Sequence, residues 1–116
     1  MRAELKDIDS PDIDLKNYEP NVPNNFCFLL ELMIGLEGED KSDIFSISVC
    51  TPDWLNTYYN ENDIIIGKHL LIVFNYNLDK IKEKISKYCE RCVGDSWEEI
   101  VIKLKEIASW EFDNYQ

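Results

Sequence analysis

From Asp43 to Leu55 the chain alternates and then abruptly stops alternating. Phe45, Ile47 and Val49 interleave with Ser46, Ser48 and Cys50, a period of two that turns one apolar face inward and one small, polar face outward on a strand. Thr51-Pro52 ends the alternation. Threonine is a good N-cap, and proline suits the first helical position, where its missing N–H is not needed. Trp54 and Leu55 follow as apolar anchors for a first turn. The pattern predicts a strand running into a short helix.

Two further strands are expected before this corner. Arg2–Ile8 reads as a short strand with Ala3 and Leu5 on one face, broken at Ser10-Pro11. Asp9–Asn25, rich in Asp, Asn and Pro, reads as an extended loop pinned by Ile13, Leu15, Tyr18 and Val22. Loops of that length in a compact domain often carry function. Phe26–Leu36 is apolar on both faces except at Glu31, as a central strand should be. Gly35–Ser42, with two glycines and three acids, then makes the hairpin loop into the Asp43 strand.

Beyond the short helix, Asn60–Asp63 is a polar turn. Ile64–Ile66 follows, Gly67 interrupts, and Lys68–Tyr76 resumes as a buried strand. Asn77 caps a helix with Leu78, Ile81, Ile85, Cys89 and Cys92 at helical spacing, and Gly94 suits its C-terminal stop. Asp95 or Ser96 starts the next helix, each with a glutamate three residues on, as in a capping box. Trp97, Ile100, Val101, Leu104 and Ala108 form its apolar stripe. Trp110 and Phe112 close the chain as aromatic cover on an extended segment. The sum is an α+β fold in one domain, residues 1–116. It has a mainly antiparallel four-stranded sheet, a C-terminal helical hairpin packed on one face, and a short helix after the third strand.

Charge changes this picture more than any other property. The chain carries 12 basic and 23 acidic side chains, a net charge of −11. Residues 1–63 hold 14 acids and 4 bases, while residues 64–116 hold 9 and 8. Nucleic-acid binding needs Lys and Arg to displace counterions from phosphates, and an anionic membrane would be repelled, so neither partner is expected. A basic protein would be attracted. No apolar run approaches the ~20 residues of a membrane span, and the N-terminus lacks a signal-peptide core, so the expected compartment is the cytoplasm.

Candidate chemistry is sparse. Cys89 and Cys92 have the C-x-x-C spacing of a redox or zinc half-site, but they share a face of the helical stripe and have no second pair. They read as buried thiols before either alternative. His69 is the single histidine and lacks evident partners for acid–base work. No phosphate loop or nucleophile elbow is present. The sequence therefore names no catalytic residue, metal ligand or cofactor.

The order of Ala3–Lys6, Ser10–Asp12, Val49–Leu55, Gly67–Phe74, Gly94–Ile100 and Trp110–Phe112 resembles the bacterial immunity protein 8 family of polymorphic toxin systems. The resemblance implies a non-enzymatic protein that binds and neutralises a cognate toxin. From charge, the expected binding face comprises Glu37, Glu39, Asp40 and Asp43 of the hairpin with Asp53, Glu61 and Asp63 near the corner, and Trp54 or Tyr58 as aromatic anchor. Trp54 as a core residue is the competing expectation. A small-molecule-binding or hydrolytic domain is the alternative, with its pocket between sheet and helices, ringed by Glu31, His69 or the cysteines. Monomer and homodimer are both open.

Overall fold

The computed structural model describes residues 1–113, and among these five strands and three helices form an α+β fold. In chain order they are β1 (Ala3–Asp9), β2 (Cys27–Leu36), β3 (Asp43–Cys50), α1 (Pro52–Tyr58), β4 (Leu70–Ile72), α2 (Leu78–Glu90), α3 (Trp97–Leu104) and β5 (Ser109–Trp110). The sheet order is β1-β2-β3-β4, with β5 also paired to β3. The β1–β2 and β2–β3 pairs are antiparallel.

The long hairpin forms as its alternation demands. Phe28, Leu30, Leu32 and Ile34 of β2 and Phe45, Ile47 and Val49 of β3 are buried on one face, and their neighbours are mostly half-buried on the other. A register shift between Leu5 and Asp7 lets β1 turn both Ala3 and Ile8 into the core, a bulge inserting one residue into one strand. Helices α2 and α3 cover that buried face. Ile81, Ile85 and Cys89 of α2 and Ile100, Val101 and Leu104 of α3 join the strand residues in one core cluster. Both helices begin as expected: Asn77 caps α2, and Ser96 accepts the N–H of Glu99 while Glu99 accepts that of Asp95.

Several expectations are corrected. Only Leu70–Ile72 of Lys68–Tyr76 is strand, and it runs parallel to β3, opposite Ser48–Cys50. The reason is lack of edge: β5 occupies Phe45 and Ser46 of the same strand. The stretch is only partly buried, since Leu71, Val73 and Tyr76 pack against the core while Ile72 and Phe74 are exposed. Helix α2 ends at Glu90, before Gly94, because the N-terminus takes over the following backbone. Ala3 N–H donates to Cys92 O, and Gly94 N–H to Met1 O. In the Asp9–Asn25 loop, Leu15 is buried and Tyr18 packs among Phe26, Phe28 and Tyr76, but Val22 faces solvent.

Candidate functional site

At the hairpin end, Gly35 lets β2 pass close to the returning chain, where a Cβ would lie 1.9 Å from Lys41 O, and Gly38 turns with φ +85°. Glu37, Glu39 and Asp40 are left exposed on the loop. Arg2 lies 4.0 Å from Glu37, a loose, solvent-exposed pair worth little in water. Asp43 is different. Its Oδ2 accepts the indole N–H of both Trp97 and Trp110 at 3.0 Å. That carboxylate holds the start of β3 to α3 and β5.

At the other end of β3, Thr51 is fully buried and its hydroxyl oxygen accepts two backbone N–H groups, those of Phe26 and Trp54, at 3.2 Å each. One side chain thus caps α1 and ties it to the start of β2. Thr57 accepts the Asn25 amide at 3.0 Å and donates to Asp53 O, a second tie. Yet none of the residues of α1 is buried. Trp54 is half-buried rather than core, and its ring stacks on Tyr58 at 4.7 Å and 12°. Tyr59 meets both rings edge-on. Asp53, Glu61 and Asp63 are exposed, with Asp63 also closing the turn by accepting the Asn60 N–H.

The nine candidate residues therefore fall into two groups. Asp53, Trp54, Tyr58, Glu61 and Asp63 lie on α1 and the turn after it, where the contact seen among them is the Trp54–Tyr58 stack, and Glu37, Glu39, Asp40 and Asp43 lie on the hairpin loop and the start of β3. The eight residues of β3 separate them by roughly 23 Å at strand rise. The outer sheet face lies between, carrying half-buried Leu29, Glu31 and Met33 of β2 beside Ser46 and Ser48 of β3. Glu31 sits opposite Asp9 of β1, a like-charge pair that lowers sheet stability. Sequence reasoning missed Ile64 and Ile66, which are 95% and 88% exposed. Their composition signals a strand, and only the missing ladder reveals them as surface.

The centre of the space between sheet and helices is filled by fully buried Leu30, Leu32, Ile34, Ile85, Ile100 and Leu104, and the cleft between β4 and α2, about 360 Å³, is lined by Leu71, Val73, Phe74, Ile81 and Lys84 instead of the residues of the alternative reading. None of five surface clefts among the described residues is lined by Glu31, His69 or a cysteine. His69 sits at φ 59° just before β4, its Nε2 3.1 Å from Lys105 O. Cys92 donates its thiol to Tyr88 O. Burial pushes the Cys89 thiol up to about 12, with Cys92 and Glu90 adding to the effect. Such thiols are protonated and poor nucleophiles at neutral pH. Among the described residues no group of three or more His, Cys, Asp or Glu is placed to hold a metal ion, and no helix is long and apolar enough to cross a membrane.

Fold and surface define an acidic α+β protein whose exposed acids and Trp54–Tyr58 stack lie on the outside rather than in a cavity. The chain belongs to the immunity protein 8 family, whose profile matches residues 3–115, nearly its whole length. It is thus an immunity protein of toxin systems, with a cognate toxin as the implied partner. No curated protein and no solved structure matches it significantly.

Proposed function

We propose that the protein works without catalysis, in the cytoplasm of the toxin-producing cell, as a single domain that binds its cognate toxin and blocks it by surface contact. The observation that carries this reading is the family match over residues 3–115. The charge gives it chemical content. A surface at −11 attracts a basic toxin, such as a nuclease whose groove is built to hold phosphates, and steers its approach. The candidate contacts are the exposed acids at the two ends of β3 and the aromatic stack on α1. Asp43, committed to two indoles, contributes through the shape it imposes on the hairpin base.

The test is co-expression with the toxin domain encoded immediately upstream. Survival of the host and co-purification of a stable complex are the expected results. Death of the host with both proteins soluble and no complex would overturn the reading.

A further inference from the structure

Helix α1 is amphipathic in composition but not in burial. It carries Trp54, Leu55 and Tyr58, and none of its residues is buried. Tyr58 is 67% exposed, yet its ring is fixed against Trp54. A stacked pair has little rotamer freedom left to lose on binding, which suits an anchor.

The chain then turns at once. Asp63 N–H donates to Asn60 O, and the Asp63 carboxylate accepts the Asn60 N–H. A β-turn holds its ends within about 7 Å, so adding one Cα step at each side keeps Ile64 within about 15 Å of Tyr59. Ile64 and Ile66 stand out into solvent there, behind a short turn in which Lys68 N–H donates to Ile66 O. Two nearly bare isoleucines and an exposed, stacked aromatic ring on one short stretch of chain offer apolar surface of the kind that marks interaction sites. Asp53, Glu61 and Asp63 lie exposed on the same stretch of chain.

That charge selects the occupant. A second copy of the chain meeting this patch about a two-fold axis would place the same acids against one another. An anionic membrane would be repelled as well. A basic protein face with an apolar recess satisfies both the acids and the isoleucines. We infer that the α1–Ile66 segment is the surface that docks the cognate toxin, with Tyr58, Ile64 and Ile66 as apolar anchors inside a rim formed by Asp53, Glu61 and Asp63. This rests on the immunity reading and assigns the main contact to one end of β3, leaving the hairpin acids a subsidiary role.

The probe is the upstream-encoded toxin domain, inactivated for purification and active for survival assays. Binding kinetics are measured for the wild type, for Ile64→Ser with Ile66→Ser, for Tyr58→Ala, and for Glu37→Lys with Glu39→Lys and Asp40→Lys. All these positions are exposed, and thermal melts check that each variant folds. The inference expects Kd to rise at least about 30-fold in the isoleucine pair and in Tyr58→Ala, mainly through dissociation, with protection lost in cells. The hairpin variant should keep its dissociation rate. If the wild type binds and protects while the isoleucine and Tyr58 variants bind equally well, the docking surface is wrong and the immunity reading stands. If the wild type itself neither binds nor protects, both fall together.

Discussion

The indole N–H of Trp110 donates to Oδ2 of Asp43 at 3.0 Å, across 67 positions of chain. Trp97 donates to the same oxygen at the same distance. Beside them, Ile44 N–H donates to the Glu111 carboxylate and Glu111 N–H to Ile44 O. The C-terminal strand is therefore closed onto β3 by polar contacts as much as by packing. Hydrogen bonds to a charged acceptor are the stronger kind, and truncating the acceptor orphans both donors. Asp43→Ala should cost about 2–4 kcal/mol in urea unfolding. Asp43→Asn, which keeps an acceptor oxygen, should cost less than half of that. Equal losses would show that charge rather than the hydrogen bonds holds the junction.

Thr51 makes a second such junction. Its replacement by valine keeps the shape and removes the acceptor for the Phe26 and Trp54 N–H groups. Losing a cap typically costs about 1 kcal/mol, and a buried orphaned N–H adds about 1–3 kcal/mol. Thr51→Val should therefore destabilise by about 2–4 kcal/mol, and Thr51→Ser by well under half as much. A valine variant as stable as wild type would mean that water or rearrangement replaces both bonds.

Those junctions also mark how far the sequence could be read. Thr51-Pro52, Asn77 and Ser96 announce their helices because caps are local, and the β2–β3 hairpin is local too. What binds β3 on its other edge is not. The parallel β4 ladder and the β5 ladder join segments far apart in sequence, and each is only two or three residues long, too short to leave a period. Lys68–Tyr76 is as apolar as any strand, so hydropathy alone places it inside, and hydropathy does not say which way Ile64–Ile66 and Phe74 face. Their exposure follows from β4 having just three positions of β3 to pair with. Of the candidate site, the exposed acids were legible as charge clusters. The second role of Asp43 was not, because its two tryptophans lie more than fifty residues away.

Buried Cys89 and half-buried Cys27 give the protein an alkaline limit. Burial lifts Cys89 to about 12 and Cys27 to about 11, the latter with help from Cys50 and Asp12, from an ordinary value of 9.0. Below pH ~9 both folded and unfolded chains hold these protons, and stability is independent of the thiols. Above it the unfolded chain releases them first and the folded chain retains them, so stability falls as pH rises towards 11–12. Half-buried Tyr18, Tyr76 and Tyr88, also shifted upward, act in the same direction. The urea midpoint should be flat from pH 7 to 8.5 and drop by pH 10.5. Cys89→Ala should lower the whole curve and flatten its alkaline limb. An unchanged alkaline slope in that variant would remove Cys89 from the explanation.

The hairpin acids are expected to act on the rate of encounter rather than on the lifetime of the complex. Glu37, Glu39 and Asp40 are exposed and lie roughly 23 Å from the corner along β3, beyond a Debye length at physiological salt but within reach of a toxin wide enough to span the sheet. Charges so placed alter association and its salt dependence, and leave dissociation to the desolvated anchors. Reversing all three should slow association about 10-fold at 20 mM salt. The difference should largely vanish at 0.5 M, where screening acts over a few ångströms. A salt-independent loss would indicate a direct, dehydrated contact at the hairpin. No change at any ionic strength would confine the electrostatic footprint to Asp53, Glu61 and Asp63.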